Sequence, residues 1–406
     1  MISKTILVLG GGIGGIVVAD ELHRRLKGEH KIILVDRNRQ HIFNPSLPWL
    51  MAGWRRPEHV TKELRRMVPS SVEVIHGNVI GMDLDAQRVW TDVQKLSYDY
   101  LVVALGAELA PEAIPGYISA AHNFFTLEGT SLLTDTLKKF PGGRVAVVVS
   151  SIPYKCPAAP YEVALLLKDI FNRQGLAGKT ELQIYTPEGQ PMPVAGPVLG
   201  DAVKAMLKDR DIGYHPKVNL ESIDPDRNEL RFKDGAIAPF DLLVAVPPHR
   251  PPQALEKTGL GDETGWVPVD PLTLKTKHDN VYAIGDVTKI TLPNGKPLPK
   301  AGVFAHAEAK VVAQNIAATI LKTESCSEFN GFGSCWIEMG NGIAALANGN
   351  FYAKPEPLIE LRRPRRLWHW GRGLFESYWM GDGLSRFTSR QLLNLGRKLL
   401  RVAVSL

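Results

Sequence analysis

Thr5-Ile6-Leu7-Val8-Leu9-Gly10-Gly11-Gly12-Ile13-Gly14-Gly15 opens on five residues suited to a buried strand and then breaks into glycines. Ile16 to Leu26 follows with apolar residues at helical spacing, and Lys31-Ile32-Ile33-Leu34-Val35-Asp36 reads as a second strand ending on an acid. Strand, glycine turn, helix and strand make a βαβ unit, the opening of a doubly wound parallel sheet. Gly10-x-Gly12-x-x-Gly15 sits between strand and helix, where glycines permit a tight turn and let backbone N–H groups approach a pyrophosphate. Asp36, twenty-one residues beyond Gly15, is placed to accept hydrogen bonds from ribose hydroxyls. The unit predicts a dinucleotide site.

Working outward, Val72 to Ile75 and Tyr100 to Ala104 are further strand candidates. A second βαβ-like block runs from Arg144 to Ser150, through a helix over Tyr161 to Asn172, to a strand over Glu181 to Tyr185. Asp241 to Val246 repeats the pattern of Asp99 to Ala104, an acidic residue before an apolar strand. The two half-repeats predict an α/β protein with two Rossmann-like, doubly wound domains, the second inserted in the first. Val281 to Asp286 returns the chain to the first, and Ala305 to Leu321 reads as an Ala-rich helix. The expected boundaries are 1–120 with 270–345 for the first domain, 121–269 for the second and 346–406 for a C-terminal region.

The second block lacks the glycine loop of the first. After Arg144-Val145-Ala146-Val147-Val148-Val149-Ser150 the chain reads Ser151-Ile152-Pro153-Tyr154-Lys155-Cys156-Pro157-Ala158-Ala159-Pro160-Tyr161-Glu162. Pro153 and Pro157 remove two backbone donors, so a second pyrophosphate finds neither room nor N–H groups. Pro157 suits the first position of a helix, which makes Cys156 its expected N-cap. There the helix dipole and Lys155 would lower the thiol pKa and favour a reactive thiolate.

The 406 residues suffice for two or more domains with sizeable cores. Three cysteines, Cys156, Cys326 and Cys335, are too few for a disulfide scaffold. Cys326 lies in a polar loop; Cys335, in Asn330-Gly331-Phe332-Gly333-Ser334-Cys335-Trp336-Ile337-Glu338-Met339-Gly340, is the favoured partner of Cys156 if a redox pair exists. From Lys354 onward there are 11 Lys/Arg against 4 Asp/Glu, enough to account for the whole net charge of +6. Leu361 to Trp370 mixes bases with aromatic rings, and Leu384 to Val404 alternates leucines with Arg386, Arg390, Arg397, Lys398 and Arg401. That is the pattern of a cationic amphipathic helix lying on an anionic membrane, and it fits a membrane better than nucleic acid. No signal peptide is visible and no apolar run reaches the roughly twenty residues that span a bilayer. The expected location is the cytoplasmic side, as a peripheral, monotopic protein.

Val281-Tyr282-Ala283-Ile284-Gly285-Asp286 resembles the second flavin motif of the pyridine nucleotide–disulfide reductase superfamily, whose Asp binds the ribityl chain. Tyr100-Leu101-Val102-Val103-Ala104-Leu105-Gly106-Ala107 resembles its connecting motif. With Tyr154 to Glu162, the Lys300-Ala301-Gly302 turn, Gly333 to Gly340 and Trp370 to Trp379, nearly the whole chain resembles the sulfide:quinone oxidoreductases and the flavoprotein subunit of flavocytochrome c sulfide dehydrogenase. The resemblance implies non-covalent FAD, since Phe43 to Trp54 holds no cysteine. It puts Gly10, Gly12, Gly15, Asp36, Val79, Gly106, Gly285, Asp286 and Lys300 at the cofactor. It makes Cys156 and Cys335 a disulfide or sulfur bridge beside the flavin, with Glu162 handling protons, and gathers Trp336, Arg372 and Phe375 around a quinone. Sulfide is the implied donor, quinone the acceptor and polysulfide or sulfur the product; no metal is implied and a homo-oligomer is left open. The chain departs from many relatives in having Asn123-Phe124-Phe125-Thr126-Leu127-Glu128 where a third cysteine is found, and in lacking a histidine within Thr186 to Pro193. Two alternatives stand beside this reading: a type II NADH:quinone oxidoreductase, which the missing glycine loop disfavours, and a non-catalytic flavoprotein redox sensor acting through Cys156.

Overall fold

The computed structural model describes residues 3–324 and 326–400, so the expected continuation of the last helix through Arg401 to Val404 lies outside the described residues. In chain order the elements that carry the site are β1 (Thr5–Leu9), α1 (Ile13–Leu26), β2 (Lys31–Asp36), β3 (Glu73–His76), β4 (Tyr100–Val103) and β5 (Gly143–Val149). Then come α2 (Ala159–Arg173), β6 (Thr180–Thr186), β7 (Ile212–Pro216), β8 (Leu242–Val246), β9 (Val281–Ala283) and α3 (Gly302–Leu321). The chain ends in β10 (Phe332–Glu338), β11 (Ala344–Asn350), β12 (Leu358–Arg365), α4 (Arg366–Met380) and α5 (Gly383–Leu400).

The first sheet has the order β9–β4–β1–β2–β3 and every pairing in it is parallel. The second, β7–β6–β5–β8, is parallel as well. Both central strands are buried on their two faces, which is why β1 and β5 read as unbroken apolar runs. The acidic repeat noted in the sequence has a structural counterpart. Asp99 accepts the Thr5 N–H at 2.8 Å and pairs with Lys4, while Asp241 accepts the Arg144 N–H at 2.7 Å and pairs with the Arg144 side chain. Each acid thus pins the start of the neighbouring central strand. The first sheet closes after the second is complete, because β9 follows β8 in the chain and pairs with β4.

The third sheet, β10–β11–β12, is antiparallel and has no counterpart in the sequence reading. Its residues Ile337, Ala345 and Ala347 join the core under α2, while Trp336 packs with Ala344, Leu346 and Trp368 on the α4 side. Period-two alternation along Ser334 to Glu338 sends Cys335 and Ile337 toward α2, and Trp336 and Glu338 toward α4. One strand therefore supplies two different surfaces.

Candidate active site

The glycine turn is built as its spacing predicts. A β-carbon on Gly10, whose φ is +106°, would lie 2.2 Å from the Ala104 carbonyl oxygen, and one on Gly15 would lie 1.9 Å from that of Gly10. Gly12, the N-cap of α1, and Gly106 face open space instead. Asp36 accepts the Gly11 N–H at 2.6 Å and the Asn38 N–H at 2.6 Å, which fixes its carboxylate beside the turn. Gly285 donates to the buried Glu308 at 2.6 Å. Asp286 Oδ1 is buried without a hydrogen-bond partner among the described residues, and burial raises its pKa. A buried acceptor in that condition needs a hydroxyl donor, and a ribityl chain supplies one. Val79 lies in the core below this end of the sheet, packed with Leu9 and Val35. These residues fit FAD.

In the second domain the glycine loop's place is taken by side chains. Tyr154 and Tyr161 both donate to Glu188 Oε2, at 3.0 and 2.6 Å, and Glu188 is buried just beyond β6. An acid in that position is the counterpart of Asp36. Here it is turned inward and spent on two phenols, so the nicotinamide alternative loses its ribose anchor as well as its glycines.

Cys156 departs from expectation in two respects. Helix α2 begins at Ala159 with Ala158 as N-cap, so Cys156 precedes it, in a left-handed conformation with φ +56°. Its N–H donates to the Lys300 carbonyl at 2.7 Å and its carbonyl accepts from Ala159 at 2.9 Å. Pro160, and not Pro157, takes the helix's proline-favoured first turn. Nor is its thiol acidified. The residue is exposed to solvent, yet the protein around it disfavours the thiolate and pushes the pKa up to about 12, with Glu162 and Asp286 adding to the rise and Arg372 opposing it. Burial lowers the pKa of Lys155 itself, with Asp286 and Cys156 opposing. Cys335 is also a free thiol, raised well above its ordinary value by burial and by Cys156, whose charge it senses. Cys326 is exposed elsewhere.

Beside the two sulfurs lies a buried ionic cluster. Arg372, from α4, donates through Nη1 to Glu162 Oε1 at 2.7 Å and stands 3.7 Å from Glu338 Oε1. Its other nitrogen donates to the Pro45 carbonyl, and its plane lies 5.1 Å from the Trp49 ring. Burial raises Glu162 to about 7, against the attraction of Arg372 and with the repulsion of Glu338. Glu338 is fully buried and shares a hydrogen bond with His369 Nδ1 at 2.9 Å. The rings of Trp336 and Phe375 lie 5.6 Å apart, and Phe43 is 6.0 Å from Phe375. Trp336 Nε1 is buried without an acceptor among the described residues. Lys300 Nζ donates to the Asp286 and Thr288 carbonyls at 2.6 and 3.1 Å and lies 3.5 Å over Trp266; burial lowers it to about 8.

A family model for the pyridine nucleotide-disulphide oxidoreductases matches residues 4–310. The chain belongs to this family. Among curated proteins it is 27% identical over 366 residues to the mitochondrial sulfide:quinone oxidoreductase of Mus musculus, covering 86% of this chain and 79% of that one. It is 28% identical over 343 residues to the sulfide-quinone reductase of Aquifex aeolicus, covering 78% and 77%. The solved structure of the sulfide:quinone oxidoreductase from Aquifex aeolicus superposes with a TM-score of 0.85 over 99% of this chain and 96% of that one, at 22% identity, which establishes a common fold.

The structure also brings in residues that the sequence motifs did not single out. Glu338 and His369 complete the ionic cluster, and Glu338 ends a strand whose other residues are uncharged, which was the available signal for the first. His249 is a third. Its Nδ1 donates to the Pro247 carbonyl at 2.8 Å, and its Nε2 is buried without a partner among the described residues. Burial, then Lys155 and Lys300, lower it to about 3, so it is neutral. Nothing in the segment Pro247 to Arg250 signals that position in the sequence.

Proposed function

We propose that the protein oxidises sulfide at Cys156 and Cys335 and passes the electrons through FAD to a quinone. The observation that carries this reading is a pair of thiols, Cys156 and Cys335, gathered with Glu162 and Arg372, with Cys156 where the second dinucleotide loop would otherwise stand. The curated sulfide:quinone oxidoreductases to which the chain is similar support it. Gly10, Gly12, Gly15, Asp36, Gly106, Gly285 and Asp286 would hold FAD, and the bound flavin supplies the two-electron chemistry that links thiols to quinone.

The chain's residues divide the remaining work. In the oxidised state Cys156 and Cys335 are joined directly or through sulfur. With the two sulfurs joined, the nucleophile is the arriving hydrosulfide, which attacks one sulfur and expels the other as thiolate. Arg372 offsets the negative charge that forms there. Glu162 takes up the sulfide proton, for which a carboxyl near 7 is well matched. Lys300, held by two carbonyls, directs positive charge at the cofactor end. Trp336 and Phe375 form the aromatic wall for a quinone, whose oxygen satisfies the Trp336 N–H, and α5 holds the molecule at the membrane from which quinone arrives. Sulfur leaves as polysulfide or elemental sulfur, and the protein sits as a monotopic protein on the cytoplasmic face.

Anaerobic mixing of the flavin-loaded protein with sulfide tests the proposal. The oxidised flavin absorbance should bleach with sulfide and return on adding quinone, whereas NADH should leave it unchanged. Bleaching by NADH and not by sulfide, or full sulfide activity in Cys156→Ser, overturns the reading.

A further inference from the structure

The ionic cluster beside the thiols does not end at Arg372. Glu162 and Glu338 flank the same Nη1, at 2.7 and 3.7 Å. Glu338 Oε2 meets His369 Nδ1 at 2.9 Å, while Glu338 Oε1 is buried without a hydrogen-bond partner among the described residues. His369, with 24% of its side chain exposed, then forms part of the wall of a surface cavity of about 260 Å³. Trp54, Asp169, Arg173, Asn341 and Gly342 line the rest of it. Polar groups therefore run from the redox sulfurs, through a fully buried carboxylate, to water. A positively charged Arg372 needs one carboxylate partner; the second, with an open oxygen and a histidine behind it, is the arrangement of a relay.

We propose that Glu338 and His369 are the proton path between Glu162 and the water of this cavity. The inference rests on the sulfide-oxidising reading given above. Hydrosulfide attack breaks the bond between the cysteine sulfurs, forms a bond from sulfide sulfur to one of them and leaves the other as thiolate. The new persulfide gives up its S–H proton, so one hydrosulfide and one disulfide become a persulfide anion, a thiolate and a proton. Glu162 takes that proton. Glu338 receives it on the oxygen facing Arg372, and His369 carries it to the cavity. The other charged groups around the path are paired among themselves. Arg173 holds Asp169 at 3.0 Å at the cavity rim, and Arg55 holds Glu376 at 2.8 Å behind Trp49. Neither acid competes for the proton at Glu338.

Two variants and one additive test the path. With saturating sulfide and quinone, His369→Phe, which keeps a ring against Trp54, should turn over at least ~10-fold more slowly, a modest share of what a positioned proton-transfer group supplies. Free imidazole admitted to the cavity should restore most of that loss. Glu338→Gln should show the same loss without rescue. Wild-type turnover in His369→Phe, or a loss that imidazole does not restore while the melting temperature is unchanged, overturns the path. A wild type that fails to reduce quinone with sulfide sinks the sulfide reading instead, and a substrate-free measurement still decides the path. The infrared carboxyl stretch of Glu162, assigned by its disappearance in Glu162→Gln, should exchange with deuterium at least ~10-fold more slowly in His369→Phe and recover with imidazole. Exchange at the wild-type rate overturns it.

Discussion

Cys156 shows how far a single residue could be read from its neighbours. Proline on its C-terminal side and lysine before it suggest an acidified helix-capping thiol, yet the helix starts at Ala159 and the surrounding protein raises the thiol pKa. Those surroundings are a tertiary property, so no local pattern revealed them. The reduced protein should therefore react slowly with a neutral alkylating reagent at pH 8. A thiol near 12 in place of an ordinary 9 holds roughly a thousandfold less thiolate there. Cys326, exposed like Cys156, is the internal control, and mass spectrometry showing both sites modified at one rate would contradict the raised pKa of Cys156. Glu162 is the proposed proton carrier, and its burial supplies the direction of the pH effect. Raised to about 7, it is protonated below neutrality and competent as a base above. At saturating sulfide, kcat should climb through pH 7 and then level, and Glu162→Gln should lose ~100-fold while flattening that limb. A steep limb retained in the glutamine variant would move the proton-handling role elsewhere.

At the scale of elements, the two βαβ blocks were legible because parallel strands buried on both faces announce themselves as apolar runs, and glycine turns mark where they meet helices. The antiparallel sheet of β10 to β12 was not. Its strands carry Gly333, Gly349, Asn348 and several arginines, and what recruits them is packing against α2 and α4, not intrinsic preference. The consequence for the site is direct, since Cys335, Trp336 and Glu338 all ride on β10. Helix α5 was legible in pattern, and its geometry bears on the membrane proposal. Leu384, Phe387, Leu392, Leu395 and Leu399 are exposed, whereas Ser389 and Leu393 turn inward. Among the described residues no helix is long and apolar enough to cross a membrane. A stripe of this kind, flanked by Arg386, Arg390, Arg397 and Lys398, suits the interface. Replacing Leu392 and Leu395 together by Glu should weaken binding to anionic vesicles at least ~10-fold, since each buried leucine contributes about 1.5 kcal/mol or more. Bleaching of the flavin by sulfide in detergent should stay at its wild-type rate. Undiminished vesicle flotation of the double variant would remove α5 as the anchor.

At the scale of the molecule, one guanidinium joins parts that come from far apart in the chain. Arg372 on α4 touches Pro45 from the first domain, Glu162 from the second and Glu338 from the third sheet. Nothing in the sequence spaces these residues so as to announce the meeting; the resemblance set Glu162 at the thiols and Arg372 at the quinone. The buried pair Arg372–Glu162 is a costly device, and what it stabilises depends on its being complete. Arg372→Met keeps a long apolar stem but leaves two buried carboxylates facing each other, a loss of about 3–5 kcal/mol when one partner of a buried pair is removed. The size of the loss should depend on pH in a definite sense. Glu162 already sits above its ordinary 4.5, at about 7, with Arg372 pulling it down. Without the arginine its folded-state value rises further. A carboxyl raised in the folded state contributes its full stability below the unfolded value, where both states are protonated, and that stability is lost as pH rises toward the folded value. The variant should therefore melt close to wild type at pH 5 and well below it at pH 8. Thermal unfolding followed by far-UV circular dichroism at the two pH values decides it. An equal deficit at both would mean that Arg372 acts by filling space against Trp49 and Pro45, and that the two carboxylates do not depend on its charge.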